Sequence, residues 1–208
     1  MPTPRKARPV QLTREDWVDA AIEMLIHDGV DAVQITGLAR ALKITRGSFY
    51  WHFEARDDLL DAVVEEWQRR NTGVILRALE KAGDLDEGLL ALFQIWVDRT
   101  DFDPTLDQAV REWARRSEAL LEKVRIEDDN RVSGMAAFLE QHGFEATEAF
   151  VRARIIYFTQ VSYYALGVRE PMAVRLSYLD AYFKSFIGRA PAATAAEAFI
   201  KMQEGRTE

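Results

Sequence analysis

Apolar residues recur three and four apart along nearly the whole chain, and this spacing constrains the fold more than any other feature. No run of alternating residues stands between turn signals, so strands find no support. Glycine and proline, 11 and 6 in 208 residues, are too few to break the chain into short strands. The pattern predicts an all-α chain of about nine helices. The first opens at Thr13, with Asp16 three residues later in a capping-box arrangement. It turns Trp17, Ala20, Ala21, Met24 and Leu25 inward and stops at Gly29. Thr36 is placed to cap a short second helix carrying Leu38, Ala39 and Leu42. Thr45 is placed to cap a third, with Phe49 and Phe53 on one side. A fourth runs from about 56 to 70, with Leu59, Leu60, Val63, Val64 and Trp67 inward. Longer helices follow at roughly 85–99, 105–115, 117–141, 146–167 and 172–187. The Ala-rich tail, 190–208, is compatible with a last helix or with an unheld end.

Composition narrows the class. Without cysteine the chain has no disulfide, thiolate metal site or cysteine nucleophile. The start, MPTPRKARPV, lacks the apolar stretch of a signal peptide. The longest apolar neighbourhood, ARIIYFTQVSYYALGV, is interrupted by Arg154, Gln160 and Ser162 and falls short of a membrane span. A cytoplasmic protein with no membrane partner is expected. Net charge is −7, which taken alone argues against nucleic acid. Its distribution argues the other way: residues 1–14 and 35–53 carry cations and no acid at all. Arg5, Lys6 and Arg8 fit either a solvated tail or an arm that follows the DNA backbone.

Residues 35–53 leave room only for a tight turn between two short helices, a helix–turn–helix. In that motif the second helix enters the major groove with its N-terminal residues at the base edges. With Phe49 and Phe53 inward, helical geometry turns Arg46, Gly47, Tyr50 and Trp51 outward. Gly47 and Ser48 let the backbone come close to DNA. Tyr50, Trp51 and His52 offer donors to phosphate, and Arg46 suits a guanine edge or a phosphate.

The run LTREDWVDAAIEMLIHDGVDAVQITGLARALKITRGSFYWHFEARDDLLDAV resembles the DNA-binding domain of the TetR family of bacterial repressors. The matching elements are the DG ending the first helix, the LA of the second, and TRGSFYWHF followed by a basic residue opening helix four. Across REWARRSEALLEKV and DNRVSGMAAFLEQHGF the chain is similar, more loosely, to the C-terminal half of many members. The resemblance implies a three-helix DNA-binding domain over 11–71, joined through helix four to an effector-binding and dimerisation domain over 72–208. It further implies that Thr36, Gly37, Arg46, Gly47, Ser48, Tyr50, Trp51, His52 and Arg56 face DNA. Two positions depart from the family pattern. Lys43 stands at a turn position usually held by glycine, and Ala55 where a capping Ser or Asn is common.

The implied partners are a double-stranded DNA operator, a second copy of the chain and a small-molecule effector. The last two long helices are candidates for the dimer face, through Tyr163, Tyr164, Leu176, Leu179, Tyr182, Phe183 and Phe186. Trp67, Phe93, Trp96, Trp113, Met135, Phe138, Tyr157 and Phe158 are candidates for an apolar effector pocket, and each also reads as plain core. Asp128 interrupts an apolar stripe. A pair with Arg131 is preferred to binding of a cationic effector. Glu23 and His27 are spaced to share a metal, but no second ligand set exists, so no metal, cofactor or catalytic group is expected. A repressor released by an effector is the leading reading. The alternatives are a regulator without an effector or acting as activator and, remotely, an all-α enzyme.

Overall fold

A computed structural model of the chain describes residues 12–98 and 102–205, all of whose regular structure is helical. Arg5, Lys6 and Arg8 lie outside the described residues. The chain forms two compact units, one ending at Glu66 and the other beginning at Trp67.

The first unit contains α1 (Arg14–Asp28), α2 (Ile35–Ala41), α3 (Arg46–Phe49) and all but the last residue of α4 (Arg56–Trp67). At the head of α1 the Thr13 hydroxyl accepts from the Asp16 N–H, and the Asp16 carboxylate accepts from the Thr13 N–H at 2.6 Å. Those two bonds satisfy donors the helix itself leaves unpaired. Trp17, Leu38, Phe49 and Leu59 are sealed from solvent. Trp17 meets Phe49 edge-on with ring centres 5.2 Å apart, and Phe49 stacks on Phe53 at 5.4 Å. Each such pair adds about 0.5–1.5 kcal/mol beyond the area it buries.

Three local expectations change. Gln34, not Thr36, precedes the first turn of α2, and its amide reaches back to the Asp31 carbonyl instead of capping. The third helix ends at Phe49, and turn hydrogen bonds from His52 and Phe53 to the Phe49 carbonyl carry the chain onward. Helix four does not start weakly at Ala55. The Asp58 carboxylate accepts from the N–H groups of both Glu54 and Ala55, at 3.0 and 2.9 Å. Lys43 adopts φ 57°, the left-handed conformation. Its N–H bonds to the Arg40 carbonyl and that of Ile44 to the Ala39 carbonyl, the two bonds of a Schellman motif. The turn therefore has the geometry glycine would give it, with a lysine in the strained position.

In the second unit, a single π-type turn at Gln68–Thr72 leads into α5 (Gly73–Lys81), where no helix is expected from the sequence. Polar Asn71 and Thr72 break the apolar pattern there, yet both are buried. Asn71 exchanges hydrogen bonds with the Asp103 backbone, and Thr72 accepts from Arg131. Then come α6 (Leu85–Asp98), α7 (Pro104–Ala114), α8 (Glu118–Gln141) and α9 (Ala146–Ala165). The expected helix over 172–187 is divided at Tyr178 into α10 (Met172–Ser177) and α11 (Leu179–Ile187). The tail is held as α12 (Ala193–Glu204), through Phe199 and through Asp86, which pairs with Arg189 and accepts from the Ala192 N–H at 2.7 Å. Burial alone would raise the Asp86 carboxyl, but the Arg189 bond holds it below its ordinary range. Ile75, Leu89, Leu92, Met135, Ile156 and Phe183 centre this unit's core.

Candidate functional site

The helix–turn–helix divides its aromatics by face. Phe49 and Phe53 are buried, while Tyr50 is 54% and Trp51 86% exposed. Arg46, Gly47 and Thr36 are exposed, and Gly37, Ser48 and His52 half-buried. Trp51 is the most exposed large apolar side chain among the described residues. Nothing inside the unit demands glycine at 47. A Cβ there would meet only the Thr45 hydroxyl, at 3.7 Å. The small residue keeps the outer surface of α3 low. Arg56 is placed differently from an outward-reaching cation. Its Nε donates to the Val33 carbonyl at 2.5 Å and its Nη2 to the Val30 carbonyl at 2.6 Å. Those bonds tie the start of α4 to the loop before α2.

Within the second unit, two arginines and two aspartates form one cluster, with Arg131 and Asp107 buried and Arg111 and Asp128 half-buried. Arg111 holds Asp128 with both Nη groups, at 2.9 and 2.6 Å, and its Nε donates to Asp107 at 2.7 Å. Arg131 donates to Asp107 at 3.0 Å and to the Tyr157 hydroxyl at 2.9 Å. Tyr157 in turn donates to Asp128, and the Trp67 indole to Asp107. The expected Asp128–Arg131 pair is the loosest contact here, at 3.9 Å, because Arg111 takes Asp128 instead. Burial by itself would raise the Asp107 carboxyl, but Arg131 and Arg111 outweigh it and hold the group below its ordinary range. Burial pushes the Tyr157 hydroxyl up and keeps it a donor. The charges balance inside the cluster, so a cationic ligand finds no free carboxylate there.

The apolar residues sort differently from expectation. Trp67 and Tyr157 serve this cluster, and Met135 is core. Phe138 lies where a Cβ at Gly88 would be, so it packs α8 tightly on α6. Trp113 is half-buried on α7 and lines no described cavity. Phe158 is 43% exposed on the outer side of α9 and cannot line an interior pocket. Phe93 and Trp96 do line a cavity, of about 40 Å³. Facing them are Tyr163, Leu176, Leu179, Tyr182 and Phe186, residues expected at the dimer face. Leu179, Phe183 and Phe186 are buried within the chain, and the Tyr164 hydroxyl bonds to the Trp96 carbonyl. A helix packed against its own core cannot offer the same side chains to a partner. The exposed apolar stripe runs instead along α9, through Val151, Ile155, Phe158 and Leu166. The sequence pattern shows α9 apolar on both sides but does not single out these residues as the outward ones.

Among the described residues, no group of three His, Asp or Glu side chains converges to hold a metal. Glu23 and His27 lie 3.5 Å apart on an exposed face of α1. No helix among the described residues is long and apolar enough to cross a membrane.

A sequence description of the family "Bacterial regulatory proteins, tetR family" matches residues 18–63. The HTH-type transcriptional regulator SrpR of Pseudomonas putida is 34% identical over 64 residues, 31% of this chain and 30% of its own. The tetracycline repressor protein class D of Escherichia coli is 39% identical over 56 residues, 27% and 26% of the two chains. The matched region thus spans less than a third of either relative. The solved structure of the ketosteroid transcriptional regulator KstR2 of Mycobacterium tuberculosis covers 87% of this chain and 98% of that one, with a TM-score of 0.63 and 17% identity. That likeness is one of fold. Over residues 18–63, which include the helix–turn–helix, the chain is similar to the TetR family of bacterial regulatory proteins. These relatives are transcriptional regulators, not enzymes.

Proposed function

We propose that the protein is a dimeric, sequence-specific DNA-binding repressor of the cytoplasm, released from its operator by a small, largely apolar effector. The observation that carries this reading is the face of α3. Exposed Tyr50 and Trp51 stand beside Arg46 and Gly47 over a sealed Phe49–Phe53 core, in a stretch with no acid. Tyr50, Trp51 and His52 donate to phosphate oxygens. Arg46 reads a guanine edge or phosphate, and Gly47 and Ser48 let the helix backbone approach the groove. Thr36 and Gly37 lie beside the DNA at the start of α2. Arg56 acts indirectly, by fixing the loop that carries α2.

One helix–turn–helix reads half a site, so a partner is needed. The α9 stripe supplies the face for a second copy. Val151, Ile155, Phe158, Ser162 and Leu166 follow one another at helical spacing, four of the five apolar and exposed. An effector bound in the second unit acts through α4, whose final residue, Trp67, is anchored there on Asp107. A coupling of about 1–3 kcal/mol weakens operator binding roughly 5–150-fold. The name of the tetracycline repressor supports the sign of regulation. One observation favours a second reading, a regulator without an effector: the cavity of about 40 Å³ is far below the roughly 300–1,000 Å³ of ordinary ligand pockets.

Selection from a library of random duplexes tests the reading. The expected result is a pseudo-palindrome with half-sites about one turn, roughly 34–36 Å, apart. Recovery of no preferred sequence overturns it. A preferred sequence whose affinity no apolar compound changes leaves the regulator and removes the effector.

A further inference from the structure

The cavity of the second unit is not uniformly apolar. Its walls are Phe93, Trp96, Leu179, Tyr182 and Phe186, with Gln160 entering from α9. The Gln160 Nε2 is buried and has no hydrogen-bond partner within the chain. A buried amide left that way is costly, and protein interiors rarely tolerate it. Three of the other polar residues lining it, Tyr163, Glu170 and Arg175, are engaged with one another. The Tyr163 hydroxyl donates to Glu170 at 2.8 Å, and Arg175 lies over the Tyr163 ring at 5.0 Å.

Those two contacts also describe how the cavity grows. Glu170, Arg175 and Leu176 line it from the connection after α9 and from α10, a helix with no buried residue. Such a segment opens at low cost compared with the packed α9 and α11. Phe93 stacks on Phe183 at 5.8 Å and meets Tyr182 and Phe186 at 6.0 and 6.2 Å, so the space behind α10 is walled by flat rings.

We infer that this cavity takes an uncharged, ring-bearing apolar molecule with one hydrogen-bond-accepting oxygen, bound to Gln160 Nε2 when the α9–α10 connection swings aside. The inference rests on the effector reading above and specifies the ligand class. A space of about 40 Å³ suits water in the closed state, and water beside Gln160 bonds to the amide. A ligand that displaces it must return that bond or lose affinity. An acceptor is therefore selected over its apolar isostere. A neutral acceptor is favoured over a carboxylate because Glu170 and Arg175 both stand at the wall and their opposite charges offset one another there, leaving no net positive charge to hold an anion.

The test uses the protein and two probes of nearly equal shape, 2-acetylnaphthalene and 2-isopropylnaphthalene, followed by quenching of tryptophan fluorescence and by calorimetry. The expected result is binding of both, with the acetyl compound tighter by roughly 2–10-fold, the range of one neutral hydrogen bond. Gln160→Leu is expected to abolish that preference, and Gln160→Glu to reverse it, with thermal unfolding confirming that each variant is folded. Equal affinities in the unaltered protein overturn the ligand class while leaving the cavity as an effector site. A preference that survives Gln160→Leu overturns the role of Gln160. Failure of both probes to bind overturns the inference and, with it, the effector part of the proposed function. DNA binding is read in neither arm.

Discussion

Arg131 Nη1 lies 3.0 Å from Asp107 Oδ1, and neither residue is more than 3% exposed. A fully sealed guanidinium is tolerated only because this carboxylate, Thr72 and Tyr157 surround it. Asp107→Asn leaves that charge uncompensated and is expected to cost about 3–5 kcal/mol in urea unfolding. The pH dependence has a definite sign. The folded Asp107 carboxyl is held below its ordinary range, so its contribution is complete above about pH 4 and is lost as pH falls through the lowered value. The urea midpoint of the unaltered protein should therefore fall below about pH 4 more steeply than that of Asp107→Asn.

Lys43 carries a left-handed backbone with φ 57° in the turn between α2 and α3. A non-glycine residue there costs about 1–2 kcal/mol. Lys43→Gly is expected to recover about 1 kcal/mol, part of the gain being offset by the freer unfolded chain. Thermal unfolding reads the gain, and the side chain's exposure leaves core packing unchanged.

Stability and DNA binding separate on the face of α3. Trp51→Ala and Gly47→Ala touch no packed side chain and should shift stability by no more than about 0.5 kcal/mol. Both are expected to weaken operator binding at least tenfold, Gly47→Ala by holding the backbone away from the groove. Phe49→Ala, with its ring sealed against Trp17 and Phe53, should instead cost about 3–5 kcal/mol and unfold the first unit. Comparable melting and binding losses for all three would contradict this division.

The outer stripe of α9 gives a second separation. If the proposed dimer forms through this stripe, Ile155→Asp is expected to leave a folded monomer in sedimentation, because Ile155 is 46% exposed and lies outside the core cluster. Phe183→Ala, at the centre of the core, should lower melting temperature without being confined to the association step.

These residues also show what the sequence can carry. Features fixed within a few positions were legible: the Thr13–Asp16 box, the helix–turn–helix of 35–53, and Phe49 and Phe53 inward against Tyr50 and Trp51 outward. Spacing alone could not say which of two apolar faces meets the chain's own core. Leu179 and Phe183 therefore read like partner-facing residues, and the two-sided apolar pattern from Ile155 onward did not say which of its side chains face outward. Long-range polar partners were equally hidden. Asp128 and Arg131 are one helical turn apart, but Arg111 reaches Asp128 from another helix and the nearer candidate loses. The start of α4, where Ala55 offers no capping side chain, is secured instead by Asp58 from inside the helix.

The central claim is that the face around Arg46, Tyr50 and Trp51 binds DNA in sequence-specific fashion as part of a dimer. Titration of the selected duplex over a range of salt, with stoichiometry measured alongside, tests it most directly. The account predicts two chains per duplex and affinity that falls steeply with salt, with the slope reduced by about one for Arg46→Ala if that residue holds a phosphate. It further predicts loss of the preference over random DNA in Tyr50→Ala. Binding by one chain, or an affinity for the selected duplex equal to that for random DNA, would contradict it.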